Sequence, residues 1–175
     1  MELKPQDTLL VLKYWSIRRD AQDQDSSVRG ISEVIGISAS EVSKGTKRLV
    51  ASRLVVERSG SIFAEVGGLL EWLSFGVRYA YPQEYIGYGR GMATSWNCPQ
   101  LHSEIAPPIP PFVWAVSGGD VDGALIKPIH NSVPIAASRD DFLYRAMSLL
   151  EAIRGGKPRE LAIARELLSN LIKGN

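Results

Sequence analysis

Apolar residues recur at helical spacing through the N-terminal part of the chain and predict a series of helices there. The first helix is expected over Thr8–Arg19, with Asp7 as its N-cap. The buried stripe of the second helix consists of Val28, Ile31 and Ile35. Gly36 ends that helix, because glycine adopts the left-handed conformation that commonly closes a helix.

A third helix is expected to begin after Ser38, with Glu41 completing a capping box. Its polar face carries residues at positions i, i+3, i+4 and i+7, namely Ser40, Ser43, Lys44 and Lys47. The opposite face carries Val42, Gly45, Thr46 and Leu49. Gly45 leaves room for a neighbouring helix to approach closely. A basic helix face held at a fixed angle by a second helix suits the major groove of DNA.

Strand composition follows the third helix. Residues 54–57 and 62–65 favour strands, and the turn-like Arg58-Ser59-Gly60-Ser61 between them predicts a hairpin. Three helices, a short hairpin and the phrase GIS…VSKGTKRLVASRLV together resemble a winged helix-turn-helix domain of the MarR-like kind. The resemblance covers residues 8–65, about a third of the chain.

This resemblance implies that Ser38–Arg53 is a recognition helix and that Arg58–Ser61 is the wing, which in such proteins often reaches the DNA backbone or the minor groove. The residues expected to contact double-stranded DNA are Arg29, Ser38, Ser40, Ser43, Lys44, Lys47, Arg48, Arg58, Ser59 and Ser61. Lysine and arginine suit phosphates or base edges, and serine suits short hydrogen bonds. Arg29 is expected to hold a flanking phosphate.

Beyond residue 65 the pattern is less regular. It predicts a helix Val66–Phe75 ended by Gly76, a strand Val77–Tyr81 and an irregular segment Gln83–Pro111. Two strands, Val113–Val116 and Ala124–Ile129, are expected to pair across a turn at Gly118-Gly119-Asp120. A helix Asp140–Arg154 capped by Ser138 and a last helix from Pro158 follow. We therefore expect a mainly helical α+β fold, with an N-terminal winged helix-turn-helix, an irregular or β segment, and a C-terminal helical hairpin. The predicted domains are 1–76, which binds DNA, and 77–175, an extension for packing, dimerisation or partner binding.

Charge is modest overall but concentrated near the third helix. The formal net charge is +1, whereas residues 39–53 carry four basic side chains against one acidic side chain. The single cysteine excludes an intramolecular disulfide. No apolar run approaches the length of a membrane span, and the N-terminus is polar, so we expect a cytoplasmic protein with no membrane contact.

Signatures of enzymes and metal sites are weak in this sequence. GYGRG at 87–91 lacks the third glycine of a dinucleotide-binding loop, since Met92 occupies that position, and a surface turn is expected instead. Cys98, His102 and His130 are fewer than the four ligands of a usual structural zinc site. With no Gly-x-Ser-x-Gly motif either, we expect no catalytic residues, no cofactor and no metal.

A group of side chains in the irregular region is a candidate ligand or partner site. It consists of Tyr81, Tyr85, Tyr88, Arg90 and Trp96, which either form such a site or pack beneath a loop. The main hypothesis is a sequence-specific DNA-binding transcriptional regulator, expected to be a homodimer on a two-fold site. The alternative is an antitoxin-like or other interaction module, in which residues 83–175 bind a partner protein and DNA binding serves autoregulation. A third hypothesis is a small-ligand sensor built on the aromatic group.

Overall fold

The computed structural model describes residues 2–19 and 24–174. Its α-helices are α1 Pro5–Arg19, α2 Val28–Ile35, α3 Ala39–Ala51, α4 Val66–Glu71, α5 Val77–Ala80, α6 Val133–Arg139, α7 Asp141–Gly155 and α8 Pro158–Lys173. Its strands are β1 Val55–Arg58, β2 Ser61–Ala64, β3 Tyr85–Ala93, β4 Phe112–Ala115 and β5 Val121–Ile126. A π-helical turn, Trp72–Gly76, joins α4 to α5, and the 3₁₀ turns Ser95–Asn97 and Pro99–Leu101 follow β3. The protein is therefore α+β and mostly helical.

Local signals place α2 and α3 where the sequence predicts them. The hydroxyl of Ser27 caps α2, and Gly36 closes it with a φ of 66°. At the start of α3, the hydroxyl of Ser38 accepts a hydrogen bond of 3.3 Å from the backbone N–H of Glu41. The other half of the predicted capping box is not formed, because the carboxylate of Glu41 binds Lys44 instead.

The start of α1 differs from the prediction. The helix begins at Pro5, not at Thr8, since proline suits the first turn of a helix, where its missing N–H is not needed. Asp7 therefore lies inside the first turn and is not the N-cap. Its carboxylate accepts a hydrogen bond of 2.8 Å from the backbone N–H of Lys4.

Strands β1 and β2 form the predicted antiparallel hairpin, with Arg58 paired with Ser61 at its end. The two turn residues have positive φ, 50° at Ser59 and 76° at Gly60. Two positive φ values are typical of a type I′ turn, whose twist matches that of the flanking strands. The hairpin is therefore set by its own local sequence.

A single helical run from α4 to α5 corrects two predictions. Gly76 does not end the helix but lies in the π-helical turn. The predicted strand Val77–Tyr81 is helical through Ala80, with Val77 and Tyr81 packed into the core one helical turn apart. A short alternation of apolar and polar residues fits one turn of helix as well as it fits a strand. The predicted domain boundary at residue 76 falls inside this run.

Strands β3, β4 and β5 form a small closed sheet in which each strand pairs with the other two. Strand β3 is antiparallel to both neighbours, and it contains the GYGRG segment. The predicted surface turn is therefore wrong, and the segment predicted to be irregular begins with a nine-residue strand. A Cβ at Gly91 would collide with the carbonyl oxygen of Trp114, and one at Gly123 would collide with that of Pro111. These glycines let the strands close on one another.

The pairing of β4 with β5 also differs from expectation. The sequence predicts a hairpin across Gly118-Gly119-Asp120, whereas the two strands are parallel, with Phe112 opposite Ala124. Both are instead antiparallel to β3, which supplies most of their partners. A parallel pair formed through a third strand depends on contacts distant in sequence.

The C-terminal helices complete one shared core. Helix α6 is not predicted from the sequence, and Ser138 lies within it, so that Asp140 caps α7 instead, accepting 3.0 Å from the N–H of Leu143. The buried pair Lys13–Asp140, at 2.9 Å, ties α1 to α7. Buried residues from α1 to α8 belong to one cluster, so the segments 1–76 and 77–175 share a core. Within residues 2–19 and 24–174, no helix is long and apolar enough to cross a membrane.

Candidate nucleic-acid interface

One face of α3 is fixed against α1 by close packing. A Cβ added at Gly45 would lie 2.7 Å from Cδ2 of Leu10 and 2.9 Å from Oδ1 of Asp7, so the helices approach as closely as a glycine permits. Val42 and Leu49, on the same face, are fully buried. The opposite face of α3 is consequently held towards solvent.

That outward face carries the four predicted polar residues, Ser40, Ser43, Lys44 and Lys47, all of them exposed. The hydroxyl of Ser43 donates to the carbonyl of Ala39 at 3.0 Å, which leaves its oxygen free to accept. Lys44 binds Glu41 at 3.3 Å. Lys47 forms no hydrogen bond or ion pair with the residues that the structure describes, so its ammonium group is available to a ligand.

Glu41 is the acidic side chain closest to this basic face. The hydrogen bond from Lys44 lowers the pKa of Glu41 below its ordinary value, so its carboxylate is ionised at neutral pH. Glu41 also accepts a hydrogen bond of 3.3 Å from the side-chain amide of Gln6. The carboxylate therefore offsets part of the positive charge at the start of α3.

Arg48 does not lie on the outward face with the two lysines. Its guanidinium donates two hydrogen bonds to the carboxylate of Asp7, at 2.6 and 2.7 Å, and both side chains are buried. These hydrogen bonds raise the pKa of Arg48 above its ordinary value. We therefore remove Arg48 from the predicted DNA contacts, because a guanidinium that is buried and doubly bonded is not free to bind a phosphate.

The tip of the β1–β2 hairpin is exposed at all three predicted positions, Arg58, Ser59 and Ser61. Arg58 lies 3.5 Å from the carboxylate of Glu65, with both side chains largely in solvent. A pair of this kind is weak and exchanges readily for another anion. The tip therefore presents one exposed cation and two hydroxyl groups.

A groove of about 930 Å³ separates α3 from the hairpin. Ser43 and Lys47 line its α3 side, Ser61 its hairpin side, and Ser27 the edge at the start of α2. Its floor includes Arg18, at the end of α1, whose guanidinium lies 3.9 Å from the ring centroid of Phe63. Helices α1 and α3, the start of α2 and the hairpin thus bring hydroxyl groups and cations to one concave surface.

Two basic residues of this region are not among the DNA contacts predicted from the sequence. Arg18 lines the groove just described, and Lys4 joins Lys44 and Lys47 around a neighbouring cavity of about 390 Å³. Both residues lie at an end of α1, where charged side chains are common whatever the function. Their proximity to α3 depends on how α1 packs, and no local signal in the sequence predicts it.

The remaining predicted contacts lie at helix starts. Arg29, in the first turn of α2, is exposed and pairs with Glu33 at 3.0 Å. Ser38 is exposed, but its hydroxyl is engaged as the cap of α3. Arg29 therefore keeps a cation near the surface, whereas Ser38 mainly positions the helix.

The predicted ligand group is dispersed. Tyr85 and Tyr88 are exposed by 64% and 63%, whereas Trp96 is buried at 3%. The hydroxyl of Tyr81 donates to the carbonyl of Leu3 at 2.7 Å, so it ties the N-terminus to the end of α5. Arg90 is exposed, 4.0 Å from Asp122. None of these five residues lines the groove beside α3 or the cavity beside Lys4.

Cys98 and the histidines do not form a cluster. Cys98 is buried, and this burial raises the pKa of its thiol. The ring of His102 is hydrogen-bonded to the carbonyl of Asn97 at 3.1 Å. Within residues 2–19 and 24–174, no three His, Cys, Asp or Glu side chains are grouped as metal ligands.

Comparisons with protein-family models, with curated proteins and with solved structures return no match to this chain.

Proposed function

We propose that the protein is a sequence-specific DNA-binding transcriptional regulator whose residues 8–65 form a winged helix-turn-helix domain. The observation that carries this proposal is the position of Lys44 and Lys47, exposed on α3 beside an exposed hairpin tip while the opposite face of α3 is buried. In this proposal α3 is the recognition helix and the β1–β2 hairpin is the wing.

The chemistry of the surface suits a nucleic acid more than a neutral ligand. Lys44 and Lys47 supply cations for phosphates or base edges, and Ser40 and Ser43 supply short hydrogen bonds. Arg58 would reach the backbone or minor groove from the wing. We expect a homodimer that reads a two-fold site, as is usual for regulators that place one helix in each half-site.

The test is binding of the full chain to the upstream region of its own gene, measured by fluorescence anisotropy over a range of salt concentrations. Replacing both lysines, Lys44→Ala with Lys47→Ala, should weaken binding and reduce the salt slope by about two units, because each phosphate contact contributes about 0.9. Both side chains are exposed, so stability to urea should change by less than about 0.5 kcal/mol.

A matched control removes the two lysines at the ends of α8, Lys157→Ala just before its first residue with Lys173→Ala at its last, and should leave the salt slope close to that of the wild type. The assignment of α3 is wrong if the wild type has no affinity for DNA at low salt. It is also wrong if the α3 double variant binds as tightly as the α8 double variant.

One observation favours the second candidate, a module that binds a partner protein through residues 83–175. Tyr85, Ile86 and Tyr88, which are close together on β3, are exposed by 64%, 47% and 63%. Tyrosine is enriched in protein interfaces, and an exposed apolar patch often marks one. If an adjacent gene encodes a toxin-like protein, Tyr85→Ser with Tyr88→Ser should abolish its co-elution with this chain and leave DNA binding unchanged.

A further inference from the structure

A small cleft of about 300 Å³ lies where the end of α1 meets α7 and α8. Two arginines line it, Arg19 from α1 and Arg145 from the second turn of α7, together with Asn170 from α8. Its lining includes no residue of α2, α3 or the hairpin, so the cleft is separate from the proposed DNA-binding face.

Arg145 is unusual among the partly or fully buried arginines of this protein. Its Nε atom is buried and has no hydrogen-bond partner, and its guanidinium forms no ion pair with the described residues. Three other arginines are hydrogen-bonded: Arg48 to Asp7, Arg154 to Glu151, and Arg165 to the carbonyl of Ser74. Arg78 is also partly buried and has no hydrogen bond, but its guanidinium lies 5.5 Å from the ring centroid of Tyr79 and its Nε is not buried without a partner. Among the described arginines, Arg145 is therefore the one whose Nε is buried without an acceptor.

A buried donor without an acceptor destabilises the folded state, and more so when the group is charged. Two indole nitrogens, of Trp15 and Trp96, are also buried without partners, but indole is neutral and is less costly to remove from water. Only for Arg145, among the described residues, does the missing partner have to be an anion or a strong acceptor.

The surroundings of Arg145 fit such an acceptor. Arg19 brings a second cation to the cleft, held there by a hydrogen bond of 3.3 Å to the carbonyl of Leu171. The side-chain amide of Asn170 makes no hydrogen bond with the described residues and can donate to a ligand. Glu104, the acidic residue of the lining, is exposed and forms no ion pair with either arginine. The cleft is therefore positive on balance.

We propose that this cleft binds a small oxyanion, a carboxylate or a phosphate group, through the guanidinium groups of Arg145 and Arg19. A guanidinium presents parallel N–H donors that match two oxygens of either group. The volume lies at the lower end of the range for small-ligand pockets, so the ligand is a small metabolite or the anionic end of a larger one. This site is independent of the proposed DNA binding.

The experiment measures thermal unfolding of the full chain in sodium phosphate and, separately, in sodium acetate, with ionic strength held constant by sodium chloride. At about five times the dissociation constant, the bound anion should raise Tm by about 2–4 °C. The anion that gives the larger shift identifies the ligand as a phosphate or a carboxylate. No shift with either anion, relative to chloride, overturns the proposal.

The decisive variant is Arg145→Met, which keeps an unbranched side chain and removes the guanidinium. It should lose the anion-dependent shift and, without anion, should unfold at or above the Tm of the wild type, because a buried donor without an acceptor has been removed. If it keeps the shift, or is destabilised or fails to fold, Arg145 has a structural role and the proposal is wrong. Arg19→Met provides the second variant and should reduce the affinity for the anion about tenfold.

Two controls separate this site from others. Arg90→Met removes an exposed arginine from β3 and should retain the full anion response. The α3 double variant, Lys44→Ala with Lys47→Ala, should also retain it even where it has lost DNA binding. If instead the α3 variant loses the anion response, the anion binds at the basic face of α3 and the cleft is not its site.

Discussion

Asp7 and Arg48 are joined by two charge-assisted hydrogen bonds, of 2.6 and 2.7 Å, inside the protein. Asp7 is 1% exposed and Arg48 is 6% exposed, so neither charge has water as an alternative partner. The pair links the first turn of α1 to the last turn of α3. It thereby holds the third helix at a fixed angle, which is what a helix that enters a groove requires.

We expect Arg48→Ala to destabilise the fold by about 3–5 kcal/mol, because the carboxylate of Asp7 would stay buried without a partner. Asp7→Ala should have an effect of the same size for the converse reason. Urea denaturation followed by circular dichroism measures both. Lys44→Ala, one helical turn before Arg48 but on the exposed face of α3, serves as the control and should change stability by less than about 0.5 kcal/mol.

A different result would restore the original interpretation of Arg48. If Arg48→Ala is as stable as the wild type but binds DNA more weakly, then the side chain leaves Asp7 to contact DNA. If both stability and binding are unchanged, the pair contributes neither to the fold nor to the interface.

Arg48 also illustrates the limit of predicting a site from helical spacing. It follows Lys47 directly and lies near the boundary between the two faces of α3, so periodicity alone does not decide its direction. Its partner is distant in sequence, and Asp7 was interpreted as a helix cap. The exposed positions Ser40, Ser43, Lys44 and Lys47 were predicted correctly as one outward face, since the buried face opposite them is strongly apolar.

In the rest of the fold, too, elements set by neighbouring residues were predicted, whereas an element that depends on distant residues was not. Ser38, Gly36 and the Ser59-Gly60 turn act on their own neighbours, and the elements that they delimit lie close to the predicted positions. Strand β3 was missed because its glycines resemble a turn when considered locally. The structure explains these glycines, because β4 and β5 approach β3 too closely for a side chain at such positions.

Substitutions of glycine by alanine test whether the closed sheet requires glycine where its strands approach closely. Gly91→Ala should destabilise the protein by about 3 kcal/mol or more, because the new Cβ would collide with the backbone carbonyl of Trp114, which cannot rotate away. Gly67→Ala is the matched control, since no atom lies within 4 Å of its Cβ position. That change lies in α4 and should stabilise the protein by about 0.5–1 kcal/mol. Urea denaturation of the two variants would contradict this account if their order were reversed.

His130 should give the fold a dependence on pH. Its burial lowers the pKa of His130 below the ordinary value, and its Nδ1 accepts a hydrogen bond of 3.2 Å from the backbone N–H of Ser132. The unfolded chain therefore takes up a proton at a higher pH than the folded chain does. Stability should fall as pH drops below about 6.5, by at most about 1.4 kcal/mol per pH unit.

Urea denaturation at pH 7.5 and pH 5.5 measures this effect. His130→Gln keeps an acceptor for the Ser132 N–H but cannot be protonated, so it should lose most of the difference between the two pH values. His102→Gln changes an exposed ring and should retain the wild-type difference. An unaltered difference in His130→Gln would show that other groups cause it.

The carboxylate of Glu41 neutralises part of the positive charge on the outward face of α3. Glu41→Gln should strengthen DNA binding at low salt by about threefold to tenfold, because it removes a repelling charge and releases Lys44 from their 3.3 Å contact. Glu84→Gln is the matched control, since it likewise releases an exposed lysine, Lys127, from a pair of 2.9 Å on another surface. Anisotropy titrations should show the gain only for Glu41→Gln, and equal affinities for the two variants would mean that the start of α3 does not face DNA.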